Sequence, residues 1–70
     1  MTTVIEVMIN GQPRHFAAAV SLTGLLAELD LLGKRVAIER NGEIVPRSQF
    51  DALTIASGDS FEIVVAVGGG

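Results

Sequence analysis

The chain has 70 residues, with five basic and eight acidic side chains, a formal net charge of −3, and no cysteine, tryptophan or tyrosine. This length accommodates one domain with one small core, and the lack of cysteine excludes disulfides, thiolate metal sites and a nucleophilic thiol. Nucleic-acid binding requires clustered Lys and Arg, whereas four Arg and one Lys are scattered along this acidic chain. We therefore expect no nucleic-acid partner.

The sequence carries no pattern of an export signal or a membrane span. Residues 1–11 have no basic region, and Glu6 interrupts their apolar run. No apolar stretch approaches the roughly 20 residues that cross a bilayer. We expect no membrane association and a cytoplasmic location.

Residues 3–16 predict a β-hairpin that turns at Asn10-Gly11. Both central positions of a type I′ turn need a positive φ, which Asn and Gly tolerate. A two-residue turn also sets the register, so that Ile9 lies opposite Gln12. The inner face of this hairpin then carries Ile5, Val7, Ile9 and Phe16. The outer face carries Val4, Glu6, Met8 and His15.

Residues 21–30 predict a helix, because apolar residues recur there at i, i+3, i+4 and i+7. This apolar face consists of Leu22, Leu25, Leu26 and Leu29. Ser21 is the predicted N-cap, Gly33 is the predicted stop signal, and Gly24 weakens the first turn. Leu25, Leu26 and Leu29 are expected to face Ile5, Val7, Phe61, Ile63 and Val65.

Residues 36–45 predict a second hairpin, which turns at Asn41-Gly42. Pro46 ends its strand pairing because proline has no N–H. The four residues that follow predict one helical turn, with Phe50 as its buried anchor.

The order strand, strand, helix, strand, short strand, strand predicts an α+β fold. The first strand and the last, residues 60–67, are the most apolar, which suits central positions in a mixed sheet. One helix packed across a mixed sheet of four to five strands gives two layers around one core. The β-grasp (ubiquitin-like) fold is the simplest topology with this order. We predict a β-grasp domain over residues 1–67 and a flexible tail over residues 68–70.

Candidate catalytic residues are few. His15 is the only histidine, and the hairpin register places it beside Glu6 as a surface pair. Glu39 and Glu43 flank a turn and are expected to be solvated, and the serines fall at caps and turns. The sequence therefore predicts no catalytic residue and no metal site.

The sequence ends in three glycines, Gly68, Gly69 and Gly70. Such a segment is either a frayed end or a flexible arm without side chains that enters a narrow enzyme channel. Three extended residues reach roughly 10 Å, far enough to present a terminal carboxylate beyond the fold. The residues alone leave both interpretations open.

A set of short motifs spans almost the whole chain. It comprises the Asn10-Gly11 turn, Ser21-Leu22-x-x-Leu25-Leu26, residues 36–47, Gly58-Asp59 and the ending Val67-Gly68-Gly69-Gly70. At this length and spacing the set resembles the ThiS family, the sulfur carrier proteins of thiamine biosynthesis. Gly24 departs from the pattern, since that family usually has Glu there.

The resemblance implies a protein cosubstrate rather than an enzyme. In that family a ubiquitin-activating-type adenylyltransferase uses ATP and magnesium to adenylate the terminal carboxylate, here that of Gly70. A sulfur-donating enzyme then supplies the sulfur of a thiocarboxylate, which thiazole synthase accepts. Gly68 and Gly69 are the tail residues that enter the partners' active sites. The chain itself is expected to bind no cofactor and to be a monomer when free.

Two alternatives stay open. The first is the small subunit of molybdopterin synthase, which shares the fold and the tail but resembles this chain less over residues 36–47. That family also usually has prolines before its last glycines, where this chain has Val64-Val65-Ala66-Val67. The second is a β-grasp interaction domain with an incidental glycine end.

We predict a docking surface on the outer face of the two central strands. Parallel pairing of these strands is expected to gather four apolar side chains into one strip that leads to the tail, with arginines at its rim. The strip consists of Val4, Met8, Val64 and Ala66, and the arginines are Arg40 and Arg47. The alternative is incidental surface apolarity, which is common in proteins.

Overall fold

The computed structural model describes residues 4–66. In chain order they form β1 (Ile5–Ile9), β2 (Gln12–Phe16), α1 (Leu22–Glu28), β3 (Val36–Arg40), β4 (Glu43–Val45), a 3-10 helix (Arg47–Gln49) and β5 (Ser60–Val65). The strands form one sheet in the order β2-β1-β5-β3-β4. Strands β1 and β5 are parallel, and the other neighbours are antiparallel. The predicted β-grasp fold is confirmed, with β1 and β5 inside the sheet.

Both hairpins turn at an Asn-Gly pair. Asn10 and Gly11 have φ values of 51° and 83°, and Asn41 and Gly42 have 52° and 88°. Positive φ at both central positions is the type I′ geometry, whose twist matches that of the flanking strands. The observed registers of both hairpins are those predicted from the sequence.

Two hydrogen-bond acceptors stabilise the first turn of α1, one at its N-cap and one in a distant segment. The Oγ atom of Ser21 accepts a hydrogen bond from the Gly24 N–H at 3.0 Å, as expected for an N-cap. The Thr23 N–H donates to the carbonyl of Phe50 at 3.1 Å. The segment after the 3-10 helix therefore supplies an acceptor for a helix N–H that has no partner within the helix.

The end of α1 differs from the prediction. The helix stops at Glu28, not near Gly33, because Asp30 adopts a left-handed φ of 61°. The Leu31 N–H then donates to the carbonyl of Leu26 at 2.7 Å. This bond is part of a Schellman motif, in which the role usually filled by glycine falls to Asp30.

The helix, the inner face of the sheet and the segment after the 3-10 helix enclose one core. The buried apolar residues are Val7, Ile9, Leu22, Leu25, Leu26, Val36, Ile38, Val45, Phe50, Ile55, Phe61 and Ile63. Val65, predicted to face the helix, is 39% exposed because an open groove separates it from Leu29. Ile55, which the periodicity did not indicate, is buried, and its N–H donates to the carbonyl of Val20 at 2.9 Å.

Candidate functional site

The glycines on which the predicted chemistry depends, Gly68, Gly69 and Gly70, lie outside the described residues. So does Val67, the predicted end of the last strand, whereas β5 ends at Val65. The site can therefore be built from the end of β5 and the residues around it.

Strand β5 is held unequally by its two neighbours. Strand β3 pairs with it over five positions, from Val36 opposite Val65 to Arg40 opposite Phe61. Strand β1 pairs with it only through Met8 and Ile9. Beyond Ile9 the side of β5 that faces β1 needs other hydrogen-bond partners.

The Asn10 side chain supplies those partners. Its Oδ1 accepts from the Ile63 N–H at 2.7 Å, and its Nδ2 donates to the Ile63 carbonyl at 3.1 Å. An amide side chain thus replaces a strand residue beside the last part of β5. The Asn10-Gly11 pattern predicts the turn alone and holds no signal of this second role.

The second Asn-Gly turn binds the other end of β5. The Asn41 backbone N–H donates to the carbonyl of Ser60 at 2.8 Å, and its Oδ1 accepts from the Ser60 N–H at 2.9 Å. Its Nδ2 donates to Oδ1 of Asp59 at 3.2 Å. The two hairpin turns therefore hold the strand that leads to the tail at its first residue, Ser60, and at Ile63.

Asp59 is the buried carboxylate of the described residues, and its contacts are structural. Its Oδ2 accepts from the Ala56 N–H at 3.0 Å and lies 3.1 Å from Nη2 of Arg40. Arg40 was predicted at the rim of the docking surface near the tail. The structure places it instead at the start of β5, opposite Phe61, where it neutralises Asp59.

The predicted apolar strip is not continuous. Met8 lies opposite Ser60, so Val64 is four residues further along β5, beyond the end of β1. Val4 precedes Met8 by four residues, which separates it from Val64 by about 26 Å along the strand direction. Both valines are exposed, at 51% and 62%, but at opposite ends of the sheet. The expectation of one strip is therefore wrong, because the β1–β5 register offsets the two halves.

A different apolar group lies beside the end of β5. Ala37 pairs with Val64, and Ile44, 66% exposed, lies opposite Glu39 on the same outer face. Glu39 in turn lies opposite Glu62, so two like charges face each other next to this group. We call the following exposed residues the tail-proximal surface: Ala37, Ile44, Val64 and Ala66.

The remaining candidates are accounted for by local contacts. His15 Nε2 lies 2.7 Å from Glu6 Oε2, and both side chains are more than half exposed, as predicted for a surface pair. Within residues 4–66, no group of three or more His, Cys, Asp or Glu side chains could hold a metal ion. In the same range, no helix has the length and apolar character needed to cross a membrane.

The chain matches a known family over most of its length. A family model described as the ThiS family matches residues 7–70. The chain belongs to the ThiS family. The crystal structure of the thiamine biosynthesis protein ThiS from Geobacter metallireducens is similar to it, with a TM-score of 0.79 and 33% identity. That similarity covers 94% of this chain and 100% of the other.

Curated relatives of this ThiS-family chain are of two lengths. Proteins named thiazole synthase from Paramagnetospirillum magneticum and Magnetococcus marinus are 42% and 35% identical to it over 66 residues. The match covers 94% of this chain but 20% of each of them, so the chain spans about a fifth of their length. A protein of Porphyra purpurea, named as the uncharacterized protein ycf40, is 39% identical over 66 residues, and 93% of it is covered.

Proposed function

We propose that this chain is a sulfur carrier protein of thiamine biosynthesis, acting as a cosubstrate and not as an enzyme. The observation that carries the proposal is the ThiS-family match, which extends through Gly70. The similarity to a thiamine biosynthesis protein over 94% of the chain adds support. In addition, the polar side chains of Asn10, Asn41 and Asp59 hold β5 in place, an arrangement suited to presenting the residues that follow.

In this proposal the reacting group is the carboxylate of Gly70. A carboxylate is a poor electrophile, so a ubiquitin-activating-type adenylyltransferase first transfers AMP from ATP to it and releases pyrophosphate. ATP and magnesium belong to that enzyme, and the chain binds no cofactor. A sulfur-donating enzyme then supplies sulfide, whose sulfur attacks the carbonyl carbon and forms the C–S bond as the bond to AMP breaks, so that a thiocarboxylate remains. Gly68 and Gly69 lack Cβ, so a partner's active site can close around their backbone.

Thiazole synthase is the proposed acceptor of the sulfur. In two relatives of that name, a segment similar to this chain shares one polypeptide with the rest of the protein. As a free monomer in the cytoplasm, the chain would meet the same partner by association. The tail-proximal surface is the proposed docking side, because Val64 exposes apolar area on the strand that leads to Gly70 and Ile44 adds apolar area on the same sheet face, on β4.

Intact-mass spectrometry tests the proposal. The protein is incubated with ATP, magnesium, the adenylating enzyme and a sulfur source, and its mass is expected to increase by the difference between one sulfur and one oxygen atom. A variant lacking Gly70 and a variant with one residue added after Gly70 should gain nothing while remaining folded. An unchanged mass of the wild-type protein overturns the proposal.

A binding experiment separates the proposal from the molybdenum-cofactor alternative. The chain is titrated against thiazole synthase and against the large subunit of molybdopterin synthase. We expect binding to the first. Binding to the second alone would instead identify a small subunit of molybdopterin synthase, and binding to neither would favour a β-grasp interaction domain.

A further inference from the structure

A groove of about 470 Å³ lies between α1, the loop before β3 and the 3-10 helix. Its walls carry three of the five basic side chains of the protein, Lys34, Arg35 and Arg47, all of them exposed. Along the sequence the basic residues, four Arg and one Lys, are scattered. The fold places the 3-10 helix beside the loop before β3, so that Arg47 lines the same groove as Lys34 and Arg35. We call this feature the basic groove.

The basic groove is a local positive site on an acidic protein. The chain has eight acidic side chains, but Asp51 alone among them lines the groove, and it accepts a hydrogen bond from the Thr23 hydroxyl. The two ion pairs formed within residues 4–66 involve neither the groove arginines nor Lys34. In the described part of the chain, these three positive charges have no internal carboxylate partner.

The basic groove adjoins the end of β5. Val36, which lines the groove, pairs with Val65. The carbonyl of Arg35 accepts a hydrogen bond from the Ala66 N–H at 2.8 Å. Neighbouring strands lie about 4.8 Å apart, so an occupant of the groove is roughly one strand away from the chain that leads to Gly70.

The floor of the groove favours a protein segment over a small anion. Leu26, Val36 and Phe50 line it and are buried, and Leu32 adds an exposed apolar side chain. A phosphate-sized ion needs several donors that converge on one point, whereas here the cations stand around an apolar floor. A peptide with apolar and acidic side chains can contact the floor and the charged walls together.

We propose that the basic groove binds an acidic segment, rich in Asp or Glu, of the enzyme that adenylates Gly70. This inference rests on the proposed function. Charge complementarity accelerates encounter and selects orientation. Because the net charge of −3 disfavours an acidic partner at other surfaces, attraction at the groove directs that enzyme to the side of the protein from which the tail emerges.

The test compares Arg47→Glu with Arg14→Glu in the full chain. Both substitutions change the charge by the same amount at exposed positions, but Arg14 lies on β2 and lines a separate groove beside Leu29 and Val65, outside the basic groove. Pyrophosphate release is measured at limiting and at saturating carrier concentration, over a range of NaCl. We expect kcat/KM for Arg47→Glu to fall about tenfold, with kcat nearly unchanged. The kcat/KM for Arg14→Glu should change less than about twofold.

Salt dependence and a neutral variant complete the design. The wild-type rate at limiting concentration should fall as NaCl rises, and the Arg47→Glu rate should fall less steeply because an attraction has been removed. The salt dependence of the Arg47→Gln rate should lie between those of the wild type and Arg47→Glu. The thermal midpoint of each variant is measured, and Lys34→Glu replaces Arg47→Glu if that variant fails to fold.

Failure of the inference and failure of the proposed function give different results. If the wild-type protein is never adenylated, the proposed function is wrong and the inference falls with it. If the wild type is adenylated but Arg47→Glu matches Arg14→Glu at every concentration and salt level, the groove proposal alone is overturned. The groove proposal is also overturned if Arg47→Glu slows sulfur transfer to thiazole synthase but does not slow adenylation.

Discussion

The side-chain amide of Asn10 pairs with both backbone groups of Ile63, which is 53 residues away in sequence. Asn10 also occupies the first central position of a type I′ turn, with φ of 51°. One residue therefore closes a hairpin and continues the sheet past Ile9, where the backbone of β1 stops pairing with β5. The strand that leads to the tail depends on a turn residue for its last hydrogen bonds on that side.

Replacing Asn10 by Gly removes these hydrogen bonds without straining the turn, because Gly adopts a positive φ readily. We expect the free energy of unfolding to fall by about 1–3 kcal/mol, the usual contribution of two hydrogen bonds. Urea denaturation measures this loss, and hydrogen exchange should show faster exchange of the Ile63 amide.

The matched control is Asn10→Asp, which keeps an acceptor for the Ile63 N–H and loses the donor to its carbonyl. Its stability should lie between those of the wild type and Asn10→Gly. An Asn10→Gly protein as stable as the wild type would show that the amide does not hold β5.

Asp30→Gly should stabilise the protein by about 0.5–1 kcal/mol, since glycine relieves the left-handed backbone that Asp30 adopts at the end of α1. Thermal unfolding gives the readout. Asp30→Ala is the control, and it should destabilise, because alanine lacks the local hydrogen bonding that helps Asp adopt this conformation. Equal midpoints for the two variants would argue against a Schellman end at this residue.

Leu26→Ala should lower the free energy of unfolding by about 2–5 kcal/mol, because Leu26 is 5% exposed and its truncation leaves a cavity between helix and sheet. Leu32→Ala is the matched control, since Leu32 is 55% exposed and its truncation should cost less than about 0.5 kcal/mol. Chemical denaturation compares the two. Similar losses would contradict the helix orientation.

Val64→Asp and Val4→Asp make the same substitution at the two ends of the outer sheet face. Each should lower the free energy of unfolding by at most about 1 kcal/mol, because both side chains are exposed. On the proposed function, Val64→Asp should slow adenylation at limiting protein concentration, since it places a charge in the tail-proximal surface. Val4→Asp should not slow it. Equal rates for the two variants would exclude the tail-proximal surface as the docking side.

Local sequence patterns were sufficient for most of the secondary structure. Asn10-Gly11 and Asn41-Gly42 set the hairpin registers because two-residue turns leave no freedom between the strands they join. The end of α1 was missed for a physical reason. An apolar residue frequently follows the left-handed position of a Schellman motif, and Leu31 fills this place after Asp30. The predicted stop, Gly33, lies three residues after Asp30.

The candidate site was harder to predict because it depends on contacts between distant segments. No turn sets the offset of β1 against β5, so the sequence pattern could identify Val4 and Val64 as outward-facing but could not show how far apart they lie. The same holds for Arg47 and Lys34, which line one groove because the 3-10 helix lies beside the loop before β3.

The position of β5 has a mechanical consequence. A partner that draws the residues after Ala66 into its active site pulls along the axis of β5, which β3 and β1 flank on either side. Such a force acts perpendicular to the hydrogen bonds that join β5 to Asn10 and to β3, and to the bond from Ala66 to Arg35. All of these bonds are therefore loaded in shear at the same time. An edge strand pulled sideways would instead peel away one bond at a time. Tension on the tail is therefore shared among several hydrogen bonds of β5 and does not fall on one of them at a time.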